Sequence, residues 1–412
     1  MPSDRDILRG RAQRVREISE DPVNLERRRL WYKHNSLEGE RPMVLAETAG
    51  VMNEVAAGWV LECKEEWARS IEHGLRRTIH QFEQVGDDAV VEPYFNVNWQ
   101  VNVSDYGVHE EVHRPDTGGK LGSYVWDPPI EDIDRDFHLL HPRTYSVDRT
   151  ATLEHKARMA ELFDGILTVR IRGSYWWTLG LTWAAIRLIG LENLMLFMYD
   201  DPGGLHRIMA FLRDDHLAYA EWLESEGLLN LNNENDYVGS GGHGYCRELP
   251  RSDWNEGDPV RMTDQWVLSE SQETVGVGPE MFAEFIFPYQ LPLVERFGLT
   301  YYGCCEPIHS RWKVIRRIPN LRTLSISPWC DQEHMAAELG RDYVFARKPN
   351  PTLVSTERFD ETAIRADIRR TLTVARGCEI ELAMKDVHTL NNEPARLGRW
   401  VRLAREVIDE LY

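Results

Sequence analysis

Four short segments gather nucleophilic, acidic and basic side chains where an apolar run ends. In the first, Tyr301-Tyr302-Gly303-Cys304-Cys305-Glu306-Pro307, two adjacent cysteines and a carboxylate are followed by His309. Adjacent side chains of an extended segment point to opposite faces, so one cysteine of the pair faces each way. A thiolate beside a carboxylate and an imidazole can ligate a metal or move a proton; the plain alternative is two small core residues. The second, Met384-Lys385-Asp386-Val387-His388-Thr389, crowds Lys385, Asp386 and His388 together at the end of an apolar run. That set suits metal ligation or acid–base work, or else an ordinary Asp cap with a surface histidine. In the third, Ser269-Glu270-Ser271-Gln272-Glu273, Glu270 is a candidate base or ligand, against the alternative of a solvated acidic loop. The fourth sets Arg347 and Lys348 before Pro349-Asn350-Pro351, two cations able to grip a carboxylate or to pair with nearby acids. A fifth stretch, Asn232 to Tyr245, carries Gly239, Gly241, Gly242 and Gly244, which would let backbone approach a ligand or let a lid move, or mark a flexible loop.

Positioning these segments requires strands that end at one place. Short β-branched or aromatic runs alternate with helical periodicity, the pattern of repeated βα units around a parallel sheet. Five runs are clear in the C-terminal half: Gln265 to Ser269, Leu299 to Cys304, Leu321 to Ser327, Tyr343 to Arg347 and Glu379 to Met384. Val44 to Ala46, Val90 to Val97 and Ile166 to Ile171 bring the set to eight, with Asn230 to Val238 a weaker candidate. Helices are expected from Pro279 to Gly298, from Thr362 to Arg376 with Gly377 as a left-handed cap, and from Pro394 to the C-terminus. Eight units predict an α/β fold, a (β/α)8 TIM barrel with N-terminal helices and long βα-loop insertions. Such barrels typically have about 250 residues and place the active site at the C-terminal ends of the strands. The extra length falls in Val103 to Thr150 and Asn232 to Met262, and in an N-terminal helical extension over residues 1–40 packed outside a barrel of 41–412.

Composition excludes several function classes. With 48 basic and 67 acidic residues the formal charge is −19, unsuited to nucleic acid or an anionic membrane surface. Six cysteines are too sparse for a disulfide scaffold, and Met1 to Glu17 is too charged for a signal peptide, so the expected compartment is the cytoplasm. The most apolar stretch, Tyr175 to Ile186, falls short of the roughly 20 residues a membrane span needs. There is no Gly-x-Ser-x-Gly elbow, His-Glu-x-x-His, Cys-x-x-Cys pair or dinucleotide fingerprint.

Leu299 to Pro307 and Lys385 to His388, in this order and context, resemble the uroporphyrinogen decarboxylase superfamily, and within it the methyltransferase-like branch. Supporting stretches are Ser269 to Glu273 with Gly276 to Phe282, Ile326 to Trp329 and Arg347 to Pro351. The resemblance implies a (β/α)8 barrel. The arginine-rich N-terminal segment of the porphyrinogen decarboxylases is absent, which argues against tetrapyrrole decarboxylation. Corrinoid-linked methyltransferases of the family hold zinc with His-x-Cys at one strand end and a further Cys at the last. Here Tyr302-Gly303-Cys304 stands for the first and Asp386 for the second, leaving Cys304 or Cys305, Glu306, Asp386 and His388 as a mixed set that would suit Zn²⁺ as a Lewis acid.

The leading expectation is a methyltransferase that demethylates an O-methyl substrate, an aryl methyl ether, and passes the methyl group to the Co(I) corrinoid of a partner protein. Cys304, Cys305, Glu306, Asp386 and His388 would be metal or acid residues, with Lys385 and Glu270 beside them. Tyr237, His243, Trp266, Tyr302 and Trp329 would shape the pocket, and Arg347 and Lys348 would meet an anionic group. The alternatives are decarboxylation or lyase chemistry on a small carboxylate held by Arg347 and Lys348, and a non-catalytic binding barrel. A homodimer is left open. The 14 tryptophans, more than the 12 phenylalanines, sharpen the expectation: Trp99, Trp176, Trp177, Trp266 and Trp329 should wall the barrel mouth.

Overall fold

The computed structural model describes residues 2–115 and 124–412. Its strands are β1 (Met43–Ala46), β2 (Tyr94–Val97), β3 (Gln100–Val103), β4 (Glu111–His113), β5 (Val125–Asp127), β6 (Tyr145–Asp148), β7 (Thr168–Ile171), β8 (Trp266–Ser269), β9 (Leu299–Tyr302), β10 (Leu321–Ile326), β11 (Val344–Arg347) and β12 (Glu379–Met384). Six form one parallel sheet in the order β1-β12-β11-β10-β9-β8. Register runs from Met43 opposite Glu381 to Ala46 opposite Met384 at one end, and from Trp266 opposite Leu299 to Ser269 opposite Tyr302 at the other. β2 and β7 pair parallel by themselves. All eight expected runs thus contain a parallel strand, but among the described residues no ladder joins the β2–β7 pair to the larger sheet. A closed eight-stranded ring is therefore not what the hydrogen bonding draws; a six-stranded parallel α/β sheet is.

Alternation along the strands gives the sheet two unlike faces. Val44, Ala46, Val267, Leu324, Ile326, Phe345 and Leu382 enter the main apolar cluster, which the C-terminal helix Arg396–Leu411 joins through Leu397, Trp400 and Val401. The opposite face carries Met43, Leu45 and Ala383, then Leu268, Tyr301, Val344 and Ala346, interleaved with buried polar residues such as Thr323, Ser325, Lys348 and Glu381. Parallel sheets are covered on both faces, so this polar side is dry as well.

The two N-terminal helices divide. Asp4–Ser19, opened by a Ser3 capping box, packs Leu8, Ala12 and Val15 against Ala68 and Leu75 of Glu66–His80. Pro22–Asn35, capped by Asp21, goes deeper than the external position expected: its Trp31 joins Met43, Leu45 and Ala383, and the His34 ring lies 2.9 Å from Glu379. The expected loop over Val103 to Thr150 holds two antiparallel pairs, β3–β6 and β4–β5, and a short helix Ile133–Asp136; part of it lies outside the described residues. The helix expected from Pro279 divides at Ile286 into Pro279–Phe285 and Phe287–Val294, because Pro288, in the first turn of the second, cannot donate the backbone hydrogen bond that would continue the first.

Candidate active site at the strand ends

The C-terminal ends of β1, β9 and β12 and the glycine-rich loop converge. β9 stops at Tyr302, and Gly303 turns the chain at φ 94°, a left-handed conformation that an L side chain resists. Cys304 and Cys305 follow. β12 stops at Met384 and presents Lys385, after which Asp386 bends the chain away at φ 56°. The loop closes over them with a bridge between Tyr237 and His243. Its Gly239 lies flat on the Tyr301 ring, where a Cβ would collide with the ring carbons, and Tyr301 donates its hydroxyl to the Ser240 carbonyl at 3.2 Å.

This packing builds a chain of polar contacts. Lys385 Nζ donates to Ser240 Oγ at 2.7 Å, and the Ser240 hydroxyl donates to Cys304 Sγ at 3.3 Å. Lys385 Nζ also lies 3.9 Å from Cys304 Sγ and 3.6 Å from Asp386. The two cysteine sulfurs are 3.6 Å apart, and the Cys305 thiol reaches Asp386 Oδ2 at 3.6 Å. The hydrogen bond from Cys305, then the Lys385 charge and the Ser240 hydroxyl, hold the buried Cys304 thiol below its ordinary value against the cost of burial. Cys305 goes the other way, raised by that same hydrogen bond and by burial, so Cys304 is the more acidic thiol of the pair. Burial works against the Lys385 ammonium, but the charges of Cys304, Asp386 and Glu47 outweigh it and raise its affinity for the proton.

Glu47, the first residue after β1, belongs to this group. Burial lifts its carboxyl above the usual range, while Lys385 and the Tyr237 hydroxyl, which donates to it at 3.0 Å, pull it back. Glu47, Tyr237, Gly241 and His243 line a cavity of about 470 Å³ whose wall also holds apolar Leu45, Val90, Val91, Phe82 and Trp177 and polar Thr48, Gln81 and Asp87. Burial pushes His243 down to about 4, which leaves a neutral ring against Trp31. This volume lies within the range of roughly 300–1,000 Å³ common to small-molecule sites.

The structure brings Cys304, Cys305, Lys385, Asp386, Tyr237 and His243 to one place and puts the other expected residues elsewhere. Glu306 is buried and accepts the backbone N–H groups of Ser271 at 2.8 Å and Cys304 at 2.9 Å, tying the ends of β8 and β9 together. Glu270 is fully buried; one oxygen accepts the Gln272 N–H, the other has no partner, and burial with Glu273 and Glu306 nearby raises its carboxyl well above the usual value. Tyr302 faces the helix side, bonded to Ser271 and Gln290. Trp266 is buried under the glycine loop, its indole N–H on the Gly244 carbonyl at 2.9 Å. Arg347 is spent on the Lys348 and Ile326 carbonyls and on Asp367 at 3.6 Å, and Lys348 on Glu381 at 3.4 Å. His388 is exposed beyond Val387, and Trp329 is 68% exposed. Of the five tryptophans expected at the mouth, only Trp177 lines this cavity. Trp176 instead packs on Tyr219 and Phe297, and Trp99 lies under Arg149.

The expected metal ligands do not converge. Cys304, Cys305, Glu306, Asp386 and His388 offer no three ligand atoms within 4.8 Å of one another; among the described residues the one such group is Glu111, His113 and Asp127, all exposed. The Lys385 ammonium stands between Cys304 and Asp386, where a second cation would be repelled. These residues do not fit zinc.

Glu47 and Ser240 escaped the sequence reading. Glu47 carries the same signal as Lys385, a charged residue directly after an apolar strand. Ser240 sits among glycines and has no signal of its own.

No family model and no curated protein sequence matches this chain. Among solved structures, a methyltransferase from Methanosarcina mazei is similar in fold, with a TM-score of 0.51 over 92% of this chain and 98% of that one at 10% sequence identity.

Proposed function

We propose that this chain is a methyltransferase on a (β/α)8-type scaffold that cleaves an aryl methyl ether and hands the methyl group to the corrinoid of a partner protein. The observation that carries the reading is Glu47: a carboxyl whose hold on its proton burial strengthens, in the wall of a cavity lined in part by apolar side chains, with a lysine cation behind it. Aryl ethers resist cleavage because the phenolate leaves badly, and a proton delivered to the ether oxygen removes that obstacle. In the transfer the O–CH₃ bond breaks, its electron pair stays on oxygen, and the methyl group goes to the nucleophile that the corrinoid supplies when the partner presents it. Glu47 gives its proton to the oxygen and becomes a carboxylate. Lys385 stabilises that new charge, and Tyr237 keeps the carboxyl aimed through its hydrogen bond. Cys304, beside Lys385, strengthens the hold of that ammonium on its proton. The apolar wall excludes water and sets the ring so that the methyl faces the mouth. The decarboxylase alternative loses its anion grip, since Arg347 and Lys348 are both engaged inside the fold.

The test is purified protein with cob(I)alamin and a panel of methoxyarenes, read as methylcobalamin absorbance. Activity should fall as pH rises through the Glu47 value, because the protonated form is the donor. Glu47→Gln should lower the rate about 100-fold and flatten that limb. Folded enzyme that transfers no methyl group from any methoxyarene overturns the reading.

A further inference from the structure

An extended segment would send the side chains of Cys304 and Cys305 to opposite faces, yet both sulfurs lie on one side. The chain has left β9 by this point. Gly303 turns it at φ 94°, and the Glu306 carboxylate reaches back to accept the Cys304 N–H at 2.9 Å. From the other side the Ser325 hydroxyl donates to the Cys304 carbonyl at 2.8 Å. The alternation of a strand does not apply to a turn pinned in this way. It leaves the two sulfurs 3.6 Å apart, in contact.

The pair also differs from the other cysteines in its access to solvent. Cys63, Cys246 and Cys330 are buried and Cys378 is half-buried, whereas Cys305 is exposed and opens the pair to small solutes. Behind it Cys304 is 4% exposed, accepts the Ser240 hydroxyl at 3.3 Å and lies 3.9 Å from the Lys385 ammonium. A cation and a hydroxyl donor beside a sulfur favour its thiolate, the form that reacts with oxidants. The proposed acid catalysis uses Cys304 only as a neighbour of Lys385 and gives Cys305 no task.

We propose that Cys304 and Cys305 are a site of reversible oxidation, at which a hydroperoxide converts the two thiols into a disulfide between adjacent residues. The Cys304 sulfur attacks the peroxide: an S–O bond forms, the O–O bond breaks, and the departing hydroxide or alkoxide takes the thiol proton. The Cys305 sulfur then attacks Cys304, so that the S–S bond forms, the S–O bond breaks and the hydroxyl group leaves as water with the Cys305 proton. The two thiols together lose two electrons, and the peroxide gains them. Adjacent Cα atoms stand about 3.8 Å apart, closer than the roughly 4.4–6.8 Å of ordinary disulfides, so the ring that closes is easily reduced again by a dithiol. In the oxidised pair Cys304 has no charge to offer Lys385, and Cys305 has no hydrogen for Asp386, which it reaches at 3.6 Å. The disulfide should therefore slow methyl transfer, a consequence that rests on the methyl-ether reading, whereas the oxidation itself does not.

The oxidation is read on the full reduced chain without turnover. Stoichiometric hydrogen peroxide should lower the thiol count after unfolding from six to four, the loss of one pair, with Cys63, Cys246, Cys330 and Cys378 still free. The peptide that holds Cys304 and Cys305 should be lighter by two hydrogens, and dithiothreitol should restore it. In Cys305→Ser, a change at an exposed side chain, Cys304 should stop at the sulfenic acid and be trapped by dimedone. Six thiols after peroxide, or Cys304 carried on to sulfonic acid in wild type, overturns the proposal. In the cob(I)alamin assay, acid-quenched samples report the fraction of disulfide at each moment, and the transfer rate should rise about 10-fold as that fraction falls. Full rate with the disulfide intact overturns its effect on transfer. A disulfide that forms in a chain transferring no methyl group from any methoxyarene supports the oxidation site and overturns the methyl-ether reading instead.

Discussion

The two faces of the six-stranded sheet are made by the same strands and differ in almost every physical respect. On one face Phe345, Leu324, Leu382 and Ile326 meet helices through apolar contact alone. On the other, an odd number of residues along the same strands or just past their ends, Lys348, Ser325, Glu381 and Lys385 are equally buried yet held by specific partners. Burial by itself therefore does not distinguish the scaffold from the site; what differs is whether a buried residue needs a partner. An apolar side chain loses contacts when truncated, whereas a buried charge loses its justification when its partner goes.

That contrast is open to a direct break. Phe345→Ala should destabilise the fold by about 3–5 kcal/mol, and no change at a single neighbour should restore it, because the loss is a cavity spread over many contacts. Lys348→Met should cost a similar amount, about 3–5 kcal/mol, by stranding Glu381 with His34 Nε2 at 4.0 Å as its remaining basic neighbour. Adding Glu381→Gln to Lys348→Met should return at least half of that loss in urea melts. If the double variant is no more stable than Lys348→Met, the inner face is stabilised like the outer one and the distinction fails.

A smaller effect should separate stability from chemistry within the inner face. Lys385→Met removes the cation that faces both Cys304 and Glu47. The rate of methyl transfer should fall about 10- to 100-fold, on the scale of lost acid–base assistance. Two titrations should move in the same direction. The Cys304 thiol should need a higher pH for alkylation, and the alkaline limb of the activity should shift to higher pH, since a carboxyl without its cation holds its proton longer. Unchanged alkylation would mean that Cys305 and Ser240 alone set the Cys304 thiol.

The sequence was legible where one signal sufficed. β12 coincides with the expected Glu379 to Met384, and β8, β9, β10 and β11 fall within their expected runs, because β-branched and aromatic residues between loop signals have few other readings. β4 and β5 were not visible: they are short and nearly all their residues are exposed, so they carry no apolar alternation. Lys385 and the cysteine pair stood out as reactive groups at strand ends. The same position holds Glu47, but a single glutamate after a four-residue strand looks like any loop acid until Tyr237 and Lys385 are seen to face it. Glu306 shows the opposite error. Its place beside the cysteines suggested a metal ligand, whereas both oxygens are taken by backbone N–H groups that no spacing rule could supply.

The smallest predicted effect tests the partner rule on two adjacent acids, Asp87 and Asp88, both buried beside β1. Burial raises Asp87 to about 6 against the backbone N–H groups of Ala46 and Ala89, since no arginine bonds to it. Burial acts on Asp88 too, but Arg41 at 2.8 Å, Arg405 at 3.0 Å and the Val44 N–H reverse it and lower the carboxyl below its ordinary value. The signs are opposite. Asp87 holds a proton in the folded chain that the unfolded chain has released, so its contribution is complete below the ordinary aspartate value of 3.8 and is lost as pH rises through about 6. Asp88 contributes above 3.8 and loses its contribution as pH falls below it. Urea midpoints of wild type should therefore fall between pH 4 and 6 on account of Asp87. Asp87→Asn should flatten that slope, because the amide has no proton to lose, while leaving the loss at lower pH that Asp88 causes. An identical slope in Asp87→Asn would show that its backbone partners compensate the buried charge as fully as the two arginines do for Asp88, and would remove the need for a counter-charge from the account of this buried pair.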